Sequence, residues 1–175
     1  MASLETKLRK HVPNQRKDLK EAIKHMRSGE LNKAENLLRD ILDSNPDVGF
    51  AHMLLGNIHY KNKNYMGALE EYQQALELNP ELAPAPLMMG LTYRALEDTD
   101  SALAQFDHAL QLDPSQMNVY LQIGRTQIGA DHLDDARNTV EKALTINPDS
   151  ISARLMSVEL LTRNNESDKA IKQLE

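Results

Sequence analysis

Apolar residues along this chain fall into stretches with a helical spacing, and short polar breaks separate the stretches. Residues 50–61, FAHMLLGNIHYK, and residues 65–78, YMGALEEYQQALEL, are two such stretches, and Asn62 to Asn64 form the break between them. Good helix formers dominate the second stretch, which ends at Asn79-Pro80. The pattern therefore predicts two helices joined by a tight turn.

The same arrangement recurs along the chain with a period of 34 residues. Proline, alanine and glycine each return at one position of the period, and three residue types fixed to one period indicate an internal repeat. The recurring residues are Pro46, Pro80, Pro114 and Pro148; Ala34, Ala68, Ala102, Ala136 and Ala170; and Gly56, Gly90 and Gly124.

Each recurring residue has a structural reason. Proline lacks a backbone N–H and restricts the residue before it, so Pro80 and its equivalents end each second helix. Glycine inside a helix costs about 1 kcal/mol relative to alanine. Gly56 and its equivalents therefore predict a close approach of the two helices, with Ala68 on the other side of the crossing. Leu55 and Tyr72 are expected to fill the space beside it.

These residues and their spacing resemble the tetratricopeptide repeat, whose pattern is W-x2-L-G-x2-Y, then A-x3-F, then P. The second repeat matches at Leu55, Gly56, Ala68, Tyr72, Ala75 and Pro80, with His52 and His59 where aromatic residues are usual. The third repeat matches at Gly90, Tyr93, Ala102, Phe106, Ala109 and Pro114. The resemblance implies an all-α fold, a right-handed α-solenoid of stacked antiparallel helix pairs.

The period also sets the expected domain organisation. Repeats are expected at residues 15–48, 49–82, 83–116 and 117–150, with a truncated repeat at 151–175. Residues 1–14 are expected to form a basic N-terminal segment or a capping helix. Because the sequence stops inside the predicted second helix of the last repeat, we expect the natural protein to be longer.

Composition and charge narrow the possible functions. The chain has no cysteine, which excludes disulfides and thiolate metal sites. No apolar run reaches the roughly 18 residues of a membrane span, and no secretory signal is seen, so we expect no membrane insertion and a cytoplasmic location. Residues 1–39 contain ten Lys or Arg and five Asp or Glu, whereas residues 40–175 contain ten and twenty-one. A nucleic acid partner is not expected, because most of the chain would repel phosphate.

The resemblance further implies where a partner would bind, since first helices of tetratricopeptide repeats line a concave groove. The positions expected in the groove combine an apolar ladder with a basic edge. They include Leu19, Met53, Asn57, Lys61, Leu87, Leu91, Arg94, Leu121, Arg125 and Leu155. Two interpretations stay open. The ladder is half-buried packing between first helices, or it binds an apolar segment that carries acidic residues.

No catalytic, metal or cofactor site is predicted. Some tetratricopeptide proteins clamp a terminal carboxylate with Lys, Asn and Arg, but the corresponding positions here are mostly apolar and only Asn57 fits. The histidines at positions 25, 52 and 59 fall at repeat positions that favour packing roles. Asp131, Asp134 and Asp135 lack the spacing of a calcium loop, and we expect them to cap the helix that begins near Leu133.

The sequence therefore predicts a non-catalytic protein–protein interaction scaffold that binds a protein or peptide segment in its groove. Two alternatives stay open. The repeats form an N-terminal regulatory or substrate-presenting arm of a larger transferase or hydroxylase, as the resemblance allows. Alternatively, the array associates with itself head to tail, because stacked repeats with an uncapped end can do so.

Overall fold

The computed structural model describes residues 15–164, and nine α-helices without any strand make up this part of the chain. They are α1 (Gln15–Arg27), α2 (Leu31–Ser44), α3 (Gly49–Lys61), α4 (Tyr65–Leu78), α5 (Pro84–Ala95), α6 (Thr99–Leu112), α7 (Met117–Gly129), α8 (Leu133–Ile146) and α9 (Ile151–Arg163). The odd-numbered helices are the first helices of the repeats. The predicted all-α fold is confirmed here, while the expected N-terminal segment at 1–14 and residues 165–175 lie outside the described residues.

The chain divides into two compact units after Ala85, in the first turn of α5. In the first unit, α1 packs on α2, both contact α3, and α3 pairs with α4. In the second unit, α6 packs on α7, α7 pairs with α8, and α9 contacts both α7 and α8. Each unit thus buries the apolar sides of its helices against neighbouring repeats.

An asparagine or aspartate ends each second helix, immediately before the recurring proline. Its φ lies between −150° and −141°, the extended conformation that a following proline favours. Its side-chain oxygen accepts a hydrogen bond from the backbone N–H two residues later, which forms an Asx turn. The pairs are Asn45–Asp47 (3.2 Å), Asn79–Glu81 (3.2 Å), Asp113–Ser115 (3.0 Å) and Asn147–Asp149 (3.0 Å).

The turn inside each helix pair requires one residue with positive φ. Gly29 (77°), Lys63 (60°), Glu97 (63°) and Asp131 (62°) occupy this position, which again recurs every 34 residues. A left-handed conformation favours glycine, and only the first repeat has one. The geometry of the turn imposes this backbone conformation on Lys63, Glu97 and Asp131.

The cap of α8 differs from the expectation. Its N-cap residue is His132, whose side chain makes no capping hydrogen bond. Asp131 cannot cap because it adopts the left-handed turn conformation one residue earlier, so the predicted capping role of the aspartates is wrong. Asp134 and Asp135 lie in the first turn of α8, where negative charge favours the helix dipole. By contrast, Asp98 caps α6 by accepting a hydrogen bond from Ser101 N.

An aromatic ring covers the recurring glycine in two repeats. A Cβ atom at Gly56 would lie 2.5 Å from the Tyr72 ring, and one at Gly90 would lie 2.5 Å from the Phe106 ring. Both rings are fully buried, so neither can move aside without disturbing close-packed neighbours. The predicted close approach is therefore correct at these two crossings, and an aromatic ring makes it.

Gly124 is in a looser environment. A Cβ atom there would lie 3.4 Å from Met156 Sδ and 3.5 Å from Val140 Cγ2, which are ordinary contact distances. Val140 stands at the repeat position that Tyr72 and Phe106 occupy in the earlier repeats. The smaller side chain leaves room, so the expected close approach does not hold at Gly124.

Replacing these glycines should have opposite effects. Gly90→Ala should lower the free energy of unfolding by about 1–3 kcal/mol, because the new methyl group overpacks the buried Phe106 ring. Gly124→Ala, the matched control, should be neutral or stabilising by up to about 1 kcal/mol, because alanine has the higher helix propensity. Urea unfolding followed by circular dichroism measures both. Equal losses in the two variants would contradict this account of the crossings.

Candidate partner-binding face

The first unit places its candidate residues in different environments. Met53 is only 6% exposed and belongs to the core. Leu19 is half-buried, whereas Lys61 is exposed. Asn57 is half-buried, and its Oδ1 accepts a 2.9 Å hydrogen bond from the hydroxyl of Tyr72, whose pKa is raised by burial. In this unit, core packing therefore explains why Met53 is apolar, and the buried Tyr72 positions the side chain of Asn57.

In the second unit, the apolar ladder is half-buried over most of its length. Leu87 and Leu91 pack against the core cluster that contains Phe106, and Leu121 packs against the cluster that contains Val140. Leu155 differs, since 57% of its surface is exposed. Each half-buried leucine contributes part of its side chain to the core and leaves the rest accessible to solvent.

A polar network runs beside this ladder. Arg94 Nη1 donates a 2.8 Å hydrogen bond to Gln122 Oε1, which joins α5 to α7. Gln122 Nε2 in turn donates to Asn118 Oδ1 at 3.4 Å. Arg125, one turn further along α7, is exposed and has no hydrogen bond or ion pair within residues 15–164. The network fixes the neighbours of Arg125 and leaves its guanidinium able to meet an anion.

Arg163 occupies the repeat position of Lys61 but makes its contacts within the second unit. Its Nη1 donates to the Ile128 carbonyl oxygen at 3.2 Å, which joins α9 to α7. The guanidinium also lies 3.6 Å from Asp131 Oδ1 and 3.0 Å from Glu159 Oε1. Counting only the charges at groove positions therefore overstates the positive charge beside Arg163. Asp131, which lies in a loop outside those positions, partly neutralises this arginine.

The histidines combine packing with hydrogen bonds. His52 stands where tryptophan is usual, and its Nδ1 lies 2.7 Å from Glu71 Oε2 while its Nε2 lies 3.1 Å from the Pro46 carbonyl oxygen. His25 Nδ1 lies 2.6 Å from Glu30 Oε2, and Lys33 and His25 together hold the pKa of Glu30 below its usual range. The contact of His25 joins α1 to the following turn, and the contacts of His52 join α3 to α4 and to the turn before α3.

Two further features of residues 15–164 bear on function. No group of three or more His, Asp or Glu side chains there could hold a metal ion. None of the helices described is long and apolar enough to cross a bilayer.

Comparison with known proteins decides the family. Profiles of the tetratricopeptide repeat match residues 19–83 and 93–144, which together make up most of the described chain. The chain belongs to the tetratricopeptide repeat family. Among curated proteins, Superkiller complex protein 3 of Mus musculus is 35% identical over 51 residues, which cover 29% of this chain and 3% of that protein. This tetratricopeptide chain thus spans a small fraction of that relative's length.

Solved structures share the same fold. MamA (41-end) from Desulfovibrio magneticus RS-1 has a TM-score of 0.81 at 15% identity and covers 93% of this chain and 92% of its own. YrrB, described as a tetratricopeptide protein with an unusual peptide-binding site, has a TM-score of 0.74 at 18% identity and covers 98% of this chain and 89% of its own. The predicted all-α solenoid class is thereby confirmed for this tetratricopeptide chain.

Truncating two members of the ladder should separate core from surface. Met53→Ala should lower the free energy of unfolding by about 2–4 kcal/mol, because it leaves a cavity in the core of the first unit. Leu155→Ala should change it by less than about 0.5 kcal/mol, as is usual for exposed positions. Thermal and urea unfolding measure both effects. A large loss in Leu155→Ala would show that Leu155 belongs to the core and is unavailable to a partner.

Proposed function

We propose that the first helices of the second unit form a face that binds an extended or helical segment of a partner protein. Leu87, Leu121 and Leu155 provide its apolar contacts, and Arg94 and Arg125 contact acidic residues of that segment. The chain acts by binding and performs no catalysis of its own. A peptide-binding site is attributed to YrrB, and the shared fold makes the same kind of activity a reasonable one for this chain.

Two hydrogen bonds between first helices carry this proposal. The Arg94–Gln122 hydrogen bond joins α5 to α7, and the hydrogen bond from Arg163 to the Ile128 carbonyl joins α7 to α9. These hydrogen bonds support a single face across the three first helices, on which Arg94 and Arg163 are already held in place. Because fewer side chains need to be ordered when a partner binds, less conformational entropy is lost.

The apolar and charged parts of the face should act on different rates. Burying the exposed surface of Leu155 and the open sides of Leu87 and Leu121 contributes about 25 cal/mol per Å² before the entropy of association is subtracted. This contribution slows dissociation. The exposed guanidinium of Arg125 accelerates encounter with an acidic segment and disfavours basic ones, more than it adds affinity.

Self-association is a second candidate with a narrower basis. Ile151 is 75% exposed and stands one turn from Leu155 on α9, so α9 presents two exposed apolar side chains. A head-to-tail contact would need an apolar counterpart on α1. The corresponding face of α1 carries lysines, and this makes stacking between copies the less favoured use of the surface.

Affinity capture with matched variants tests the proposal. Leu155→Asp should abolish capture of a partner that the wild type retains from a native extract, and Arg125→Glu should weaken it at physiological salt. With the purified partner, Leu155→Ala should mainly raise the dissociation rate and Arg125→Glu should mainly slow association, measured by surface plasmon resonance.

Two variants supply the controls. Met66 on α4 is 63% exposed, so Met66→Asp introduces the same charge at a comparably exposed apolar position. Lys142→Glu on α8 matches the charge change of Arg125→Glu at another exposed cation. A partner that all four variants retain equally would place binding on another surface.

A further inference from the structure

All five lysines and arginines of α1 lie on one side of this helix. At about 100° per residue, they fall within an arc of about 100°, and all are exposed. Only one of them forms an ion pair within residues 15–164, the 3.3 Å contact between Lys24 and Glu21. This basic face of α1 consists of Arg16, Lys17, Lys20, Lys24 and Arg27.

Three members of the basic face occupy repeat positions that are buried in most of the later first helices. The later first helices carry mainly apolar or hydroxyl side chains at these positions, and only Met88 and Gln122 are half-buried, whereas α1 carries lysine at each position and exposes it. The equivalents of Lys17, Lys20 and Lys24 are Ala51, Leu54 and Ile58 in α3, and Ala153, Met156 and Leu160 in α9, all buried. At these repeat positions, α1 therefore presents exposed charge where later first helices mostly have buried side chains.

The charges on this face have an intrinsic electrostatic cost. Arg16, Lys20 and Lys24 follow one another at four-residue intervals, a spacing at which like charges destabilise a helix. Arg16 and Lys17 also lie in the first turn, where the helix dipole disfavours cations. Keeping an exposed helix face solvated requires only a few charged side chains, and a mixture of acidic and basic residues would serve. Solvation therefore does not explain five positive charges on one face. An anionic partner would relieve both unfavourable terms.

From these observations we infer that the basic face of α1 binds an acidic polypeptide segment, separately from the face of the second unit. The charge of the rest of the chain favours this occupant, since residues 40–175 contain twenty-one Asp or Glu against ten Lys or Arg. A long nucleic acid would meet that acidic surface beyond α1, whereas a short segment need contact only α1.

Two other occupants fit the face less well. A membrane surface would require exposed apolar side chains beside the cations. Ala22 and Met26 of α1 are buried, and Leu19 and Ile23 are half-buried, so no apolar residue of α1 is exposed. Residues 1–14 contain Lys7, Arg9 and Lys10 against the single acidic Glu5. Their net positive charge makes them a poor cover for lysines.

Fluorescence anisotropy with a fluorescein-labelled peptide of ten glutamates tests the inference in low salt. The double variant Lys17→Glu, Lys20→Glu should weaken binding about tenfold or more, because two attractions become repulsions. The matched variant Lys63→Glu, Lys142→Glu has the same net charge and should bind within about twofold of the wild type. Equal losses in the two double variants, or no loss in either, would overturn the proposal.

Further measurements keep the result unambiguous. If the glutamate variant does not fold by circular dichroism, Lys17→Ala, Lys20→Ala replaces it and should still weaken binding several-fold. Lys17 and Lys20 should react readily with an acetylating reagent in the free protein and be protected by the peptide. Unreactive lysines in the free protein would show that another part of the chain covers the face, and tighter binding of a ten-nucleotide thymidine strand through the same lysines would identify the wrong class of partner; either result overturns the proposal.

Discussion

In the second and third repeats, the contact between a buried aromatic ring and the glycine of the facing helix determines how closely the two helices approach. Tyr72 on Gly56 and Phe106 on Gly90 leave no space for a methyl group. Since both rings are fully buried, these crossings fix the helix pairs to which the exposed faces belong. The Tyr72 hydroxyl also holds Asn57 at the edge of the first unit, so one ring serves the core and the surface together.

Much of this fold could be predicted because its constraints are periodic. Pro80 and Gly56 mark where a helix ends and where two helices approach, and their recurrence distinguishes them from chance. Other constraints could not be predicted from the sequence, because different residue types satisfy them in different repeats. The left-handed turn position is glycine only at Gly29 and is Lys63 in the next repeat, so the residue type at this position does not reveal the turn. At Gly124, the period persists although the packing reason for it has gone.

The candidate face could be predicted only in part, because position within a repeat does not fix exposure. Met53 and Leu155 share one repeat position, yet Met53 belongs to the core and Leu155 is exposed. Contacts made across elements were also missing from the sequence, as the pairing of Arg163 with Asp131 illustrates. Whether a repeat position is buried or exposed therefore depends on which neighbouring helix covers it. The basic face of α1 is the clearest example, because it exposes lysines at positions that are mostly buried in later first helices.

A double-mutant cycle between the glycine and the ring tests the central claim most directly. The first repeat has Ala22 and Leu38 at these two positions, both fully buried, so Gly90→Ala combined with Phe106→Leu reproduces a pair that this fold already accommodates. The free energy of unfolding would be measured for the wild type, both single variants and the double variant. If the ring excludes a methyl group, Gly90→Ala should cost much less in the Phe106→Leu background than in the wild type, with a coupling of about 1 kcal/mol or more. An equal cost in both backgrounds would contradict the account, because the penalty would then not come from the ring.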